Sequence, residues 1–162
     1  MMKIVKTELE KYPRRKLICK RYTDADRNAN GTFSDQWALW MEQHWFEKVG
    51  CADDCIGLIR CNGNGFEYDI GVFQAADAPD VAGFDSVPIE AGTAFVCYLY
   101  GHEETGELYG EDATNRCLSM LETAGFHAAD KGWMVERYHC TRFLRPDKAG
   151  CVVLDFGIYL ED

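Results

Sequence analysis

Two hydrophobic periods alternate along this chain, and they alternate in the same order twice. Between Arg14 and Tyr22, and again from Gly92 to Gly101 (GTAFVCYLYG), short apolar runs bounded by charge or glycine predict β-strands. A helical period follows each run. In GTFSDQWALWMEQHWFEKVG, Phe33, Trp37, Trp40, Met41 and His44 fall on one helical face, with Thr32 or Ser34 placed to cap the start and Gly50 to end the helix. In the second instance Ala113, Cys117, Met120, Leu121 and Ala124 share a face within a helix predicted over Glu111 to Ala124, with Gly125 at its C-terminal cap. Two strand patterns then close each unit: CIGLIRC with FEYDIGVF, and WMVERYHC with CVVLDFGIYL, joined by the turn signals CNGNG and RPDKAG.

The order is therefore β-α-β-β written twice, and one segment carries the repeat in its letters. YDIGVF (Tyr68 to Phe73) returns as LDFGIY (Leu154 to Tyr159), with Asp69 over Asp155 and Gly71 over Gly157. The first repeat covers about residues 14–73 and the second about 84–160. A stretch rich in Ala, Asp, Pro and Gly, Ala75 to Gly83, links them within a single domain spanning 1–162. The expected fold class is α+β: duplicated units merge into a curved antiparallel sheet, two helices cover one face, and a ligand cleft forms on the other where the halves meet.

Composition narrows the class. A chain of 162 residues is long enough to bury a full core, and its 47% apolar and 27% charged content fits neither a disordered nor a membrane protein. No stretch approaches the ~20 apolar residues of a membrane span, and MMKIVKTELEKYPRRK lacks the apolar centre of a signal peptide, so a cytoplasmic location is expected. The net charge of -10 repels phosphate backbones, which argues against nucleic acid as a partner and in favour of cations. The same charge also serves solubility. Aromatic residues reach 13%, more than a core of this size needs, and large rings are efficient ligand contacts. The eight cysteines show no CxxC pair and no histidine at metal-ligand spacing, so they are read as thiols, with Cys19, Cys97 and Cys140 inside strand-like runs.

The two β-α-β-β units, the Ala91–Thr93 strand start, WMVERYHCTRF and the closing VVLDFGIYL together resemble the GyrI-like small-molecule-binding domain, the effector-binding domain of bacterial AraC-type and MerR-type transcription activators. The resemblance spans about Arg14 to Leu160, with no room left for a DNA-binding helix-turn-helix, which implies a stand-alone form. It implies a pocket for bulky hydrophobic molecules, often cationic, with aromatic walls and a carboxylate at the base that matches Glu136. Where many relatives end in an aromatic followed by an apolar-proline-apolar sequence, this chain has Gly157, Ile158, Tyr159 and Leu160.

The residues themselves support an acid of this kind. Glu136 lies in an apolar strand with Trp133 and Val135, and strand alternation puts it on one face with Met134 and Tyr138. A carboxylate there is either a buried ligand for an organic cation or the partner of a surface Lys or Arg. Asp69 and Asp155 either face the cleft or form the solvated side of the sheet. Trp37 and Trp40 are core or pocket wall, and Tyr98 and Tyr100 line the cleft or cover the sheet. The expected ligand site thus comprises Glu136, Tyr138, Asp69, Asp155, Trp37, Trp40, Tyr98, Tyr100 and Trp133.

No catalytic group, metal ligand or cofactor is indicated, and the expected partner is a small hydrophobic cation. Neither a nucleic acid nor a membrane is expected, and a protein partner in signalling is left open. Two alternatives come from the resemblance: hydrolysis of electrophilic xenobiotics, with Glu136 and Tyr138 as base and donor, and a protein-interaction role such as gyrase inhibition.

Overall fold

The computed structural model describes residues 1–51, 53–62, 65–130 and 132–161. Its elements are β1 (Lys3–Tyr12), β2 (Arg15–Thr23), α1 (Ser34–Glu42), α2 (Trp45–Lys48), β3 (Asp54–Asn62), β4 (Gly65–Ala75), β5 (Asp85–Ile89), β6 (Gly92–Gly101), α3 (Gly110–Thr123), β7 (Trp133–His139) and β8 (Val152–Tyr159). The strands form one eight-stranded sheet in the order β1-β6-β8-β7-β3-β4-β2-β5. Every neighbouring pair in it is antiparallel. The fold is the expected α+β one, with the duplicated units side by side and β7 meeting β3 at their junction.

Two strands extend the expected set. β1 precedes the predicted first repeat, and β5 lies in a short segment ahead of the second repeat's first predicted strand. Their role is visible in the register. Tyr12 pairs with Gly92 in the β1–β6 ladder and Arg15 with Ile89 in the β2–β5 ladder, so pairing keeps one register across both junctions. Pro13 has no N–H to give a ladder, which breaks the first strand between β1 and β2. In effect β1–β2 and β5–β6 are two long bent strands that pair from Lys3 to Cys19, with Arg14 and Glu90 3.8 Å apart at the bend. Since β1 and β2 stand near opposite ends of the sheet, this continuity curls the sheet until its ends approach.

Alternation sorts the side chains into two layers. Under the helices lie Ile18, Ile70, Cys97, Leu99, Leu154, Phe156 and Ile158, packed with Trp40 of α1 and Ala113, Cys117 and Leu121 of α3. The helix-free face carries its own clusters, Leu17, Cys19, Ile56, Leu58, Val87, Ile89, Val135 and Tyr159 in one and Ala94, Val96 and Tyr98 in the other. Each fully buried aliphatic side chain contributes roughly 1.5–3 kcal/mol. All eight cysteines are free thiols, with Cys19, Cys97, Cys117 and Cys151 buried. Cys140 lies one residue past β7 and is half-buried.

The first helix departs from its prediction. It ends at Glu42, and His44 takes a left-handed conformation (φ 52°) before the single turn of α2. That step redirects the chain so that Trp45 packs its ring against Trp40 (centroids 6.3 Å apart) and Phe84 (6.0 Å). Met41, predicted on the apolar stripe, is exposed. Neither Thr32 nor Ser34 caps α1; their hydroxyls lie 3.1 Å from each other, and Phe33 occupies the cap position. Gly50 and Gly125 adopt positive φ where the helical segments stop, as predicted. Of the CNGNG turn, Gly63 and Asn64 lie outside the described residues. Among the described residues no helix is long and apolar enough to cross a membrane.

Candidate functional site

The duplicated aspartates fix which residues correspond between halves. Leu58 of β3 pairs with Asp69, and Arg137 of β7 pairs with Asp155, so Leu58 and Arg137 are equivalent. One residue back, Gly57 is equivalent to Glu136. These two also pair with each other across the β3–β7 junction. A residue that pairs with its own equivalent marks the local two-fold axis, so Glu136 and Gly57 stand on the axis that relates the halves.

Glu136 is 8% exposed and points under the helices, on the face of Met134 and Tyr138. Its Oε1 accepts hydrogen bonds from the hydroxyls of Tyr68 (2.5 Å) and Tyr138 (3.1 Å). Among the described residues no Lys, Arg or His forms an ion pair with it. Burial raises its pKa above the ordinary carboxyl value, and the two phenol hydrogen bonds offset only part of that rise. Burial and the neighbouring Glu136 also push both phenols well above the usual tyrosine range. The acid is therefore a buried carboxyl whose neutral form is favoured more than in an exposed glutamate.

Rings enclose the acid. The Trp37 indole N–H donates to the Tyr68 hydroxyl (2.9 Å), and its ring meets Tyr138 edge-on at 4.7 Å. Phe33 stacks on Tyr68 (4.5 Å) and Phe143 meets Tyr138 edge-on (4.8 Å). Gly57 makes this arrangement possible. A Cβ there would stand 2.4 Å from the Tyr68 hydroxyl and 2.8 Å from Glu136 Oε1.

The remaining candidates separate from this cluster. Trp37 belongs to it, whereas Trp40 is fully buried core beside Trp45 and Phe84. Asp69 and Asp155 point to the helix-free face, opposite Glu136, because each follows in sequence a residue packed under the helices. Neither is solvated. Asp155 accepts hydrogen bonds from Arg137 (2.7 Å) and Arg142 (2.5 Å), and Arg137 also holds Glu10 (2.9 Å). Asp69 is held more loosely, with Arg60 at 3.4 Å and Arg21 at 3.5 Å and its Oδ1 without a hydrogen bond. Burial and nearby Glu67 push its pKa to about 6. Tyr98 donates to Glu8 and Tyr100 to Asp147, both on this second side. Trp133 lies there too, under the Arg60 guanidinium (4.9 Å) and edge-on to Tyr159 (6.1 Å). The acidic aromatic cluster thus sits between sheet and helices, whereas the sequence reading expected the cleft on the helix-free face.

Sequence reasoning missed Gly57, Tyr68, Phe33 and Phe143 as parts of the cluster. For Tyr68 a signal existed: it adjoins Asp69, so alternation sends the two to opposite faces, and only one of them can share a face with Glu136. Gly57 and Phe143 are recognisable only once the strand pairing is known.

No family model and no curated protein matches the sequence. Solved structures do match. The protein SAV2435, in a structure bound to tetraphenylphosphonium, superposes with a TM-score of 0.69 at 12% identity, over 97% of this chain and 94% of that one. The C-terminal domain of EcmrR superposes with a TM-score of 0.60 at 12% identity, over 97% of this chain and 98% of that one. An integron cassette protein from Vibrio cholerae does so with a TM-score of 0.61 at 11% identity, over 99% of each chain. At such identity the likeness is one of fold, and it is the fold that the resemblance to the GyrI-like domain implied.

Proposed function

We propose that the protein is a GyrI-like small-molecule-binding domain whose ligands are lipophilic organic cations, held at Glu136. One observation carries this reading: a carboxyl on the two-fold axis, buried among aromatic rings, has phenols but no cation as described partners. A buried carboxylate without a counter-charge is costly, so burial shifts the acid towards its protonated form. A cation arriving between the rings supplies the missing counter-charge. Each ring face adds roughly 0.5–2 kcal/mol of cation-π attraction. A neutral molecule of the same shape gains neither.

Tetraphenylphosphonium, the ligand in the SAV2435 structure, has this chemistry, a delocalised positive charge beneath apolar rings. Admitting it requires the α1 side of the cluster to yield. That side is suited to do so: α1 is nine residues long, has no side-chain cap, and fully buries Trp40 alone. Trp37 rides on it as a movable wall.

The test is a titration with tetraphenylphosphonium and with neutral triphenylphosphine oxide, followed by tryptophan quenching, in the native protein and in Glu136→Gln. Micromolar, cation-selective binding that weakens tenfold or more in the variant (~1.4 kcal/mol) is expected. Binding should tighten as pH rises through the elevated Glu136 pKa, because the ionised acid is the form that the cation selects. Equal binding by the variant, or equal binding of the neutral compound, removes Glu136 from the mechanism.

A further inference from the structure

On the other side of the sheet from Glu136 lies a cavity of about 300 Å³. Its floor is apolar: Ile56 of β3, Ala94 and Val96 of β6, Val135 of β7 and Gly157 of β8. That volume is at the lower end of the range for small-molecule sites. The duplication shows that the hollow is not forced by the backbone. Arg21 pairs with Asp69 and Tyr98 with Asp155, so Ala94 and Val96 are equivalent to Leu17 and Cys19 of the first half. By the same correspondence Arg137 and Asp54 are equivalent to Leu58 and Trp133. The first half fills its copy of the space with Leu17, Cys19 and Leu58, all completely buried. The second half offers a small side chain at Ala94 and leaves the room open.

Two groups of opposite sign at the cavity each keep one buried polar atom without a hydrogen bond. Arg15 stacks its guanidinium on Phe73 (3.6 Å) and Tyr12 (4.6 Å), and its hydrogen bond to the Tyr159 hydroxyl is long, at 3.4 Å. Its Nε is buried without an acceptor, and among the described residues no carboxylate pairs with it. Across the opening, Asp54 Oδ1 is buried without a hydrogen bond, with the imidazole His139 Nε2 3.8 Å away. The other lining charges are largely spoken for: Arg137 binds both Asp155 and Glu10. Arg15 and Asp54 start from β2 and β3, with β4 between them, a separation on the order of 10 Å at the backbone.

We propose that this hollow is a second ligand site, for a compact zwitterion whose charges are separated by an apolar spacer. The anionic end pairs with Arg15, where a carboxylate can take the guanidinium edge-on while the two rings hold it flat. The cationic end meets Asp54, and the spacer covers the floor of Ile56, Val96 and Val135. Asp54 is about a third exposed, and its partial burial raises its pKa above the ordinary aspartate value. The site takes an ω-amino acid or short peptide, a ligand class distinct from the lipophilic cation.

The experiment is calorimetric titration of the full chain with 6-aminohexanoate, hexanoate and hexylamine. Binding of 6-aminohexanoate, with each singly charged analogue at least tenfold weaker, is expected. Arg15→Gln and Asp54→Asn should each weaken it tenfold or more, and Ala94→Leu, which copies the first half, should abolish it with the thermal melt retained. Glu136→Gln should leave it unchanged, which separates this site from the cation site. No binding of 6-aminohexanoate at millimolar concentration, equal binding of hexanoate or hexylamine, or binding that survives Arg15→Gln overturns the proposal.

Discussion

The two halves share a backbone plan and differ in what they do with it. At the axis, the first half contributes Gly57 and the second Glu136, so one half makes the space that the other half's acid occupies. Tyr68 of the first half corresponds to Leu154 of the second, and Tyr138 of the second to Ile59 of the first. The phenols around the acid therefore come one from each half. The paired aspartates differ in the same manner. Asp155 is gripped by two arginines at 2.7 and 2.5 Å, whereas Asp69 keeps its arginines at 3.4 Å or more and its pKa is raised to about 6. A symmetric frame with asymmetric filling confines function to particular copies of equivalent positions.

Substitutions can break that contrast. Asp155→Asn should have the largest effect, because it leaves Arg137 and Arg142 facing a neutral group at a buried position. A loss of about 3–5 kcal/mol in urea denaturation is expected. Gly57→Val, which puts a side chain where the second half has its acid, drives methyl groups into the Tyr68 hydroxyl and Glu136. It should cost about 2–3 kcal/mol by the same measurement and abolish cation binding.

Asp69→Asn should move the other way from Asp155→Asn. The folded-state pKa of about 6 lies above the unfolded value of ~3.9, so the folded chain holds the proton more tightly, and this group lowers stability as pH rises from ~4 to ~6. The variant should gain about 2 kcal/mol at pH 7 and nothing near pH 4, read from denaturation at both pH values. A loss at pH 7 would make the two aspartates alike. The smallest change is Trp37→Phe, which removes the indole hydrogen bond to Tyr68. It should cost about 1 kcal/mol and lower affinity for tetraphenylphosphonium severalfold in a calorimetric titration.

Much of the frame was legible in the sequence because it rests on period and repetition. The Asp69/Asp155 echo located the duplication, and the isolation of Glu136 in an apolar strand marked the acid. What escaped depends on contacts between distant segments. β1 has the polar, lysine- and glutamate-rich surface of an edge strand, and nothing local announces that its partner is β6. Which face Glu136 takes was not legible because alternation gives relative faces only, and α1 and α3 decide which of them is covered. For Asp69 and Asp155 the sequence leaves a cleft-facing and a solvated position open, because the arginines that neutralise them, Arg21, Arg60, Arg137 and Arg142, come from other strands and a loop.

The long crossed ladder has a consequence for biosynthesis. β1 leaves the ribosome well before β6, the strand it pairs with, so it waits until the chain has been extended from Tyr12 to beyond Gly92. At ~5–20 residues per second that delay is on the order of several seconds. Throughout it an unpaired strand would be open to any other edge in the cell. The lysines and glutamates of KIVKTELEKY, one or the other at half the positions of the strand, keep such an edge hydrated and make its burial against another strand costly. Charges that look like mere surface on the finished protein thus also suit the strand to its wait for a distant partner.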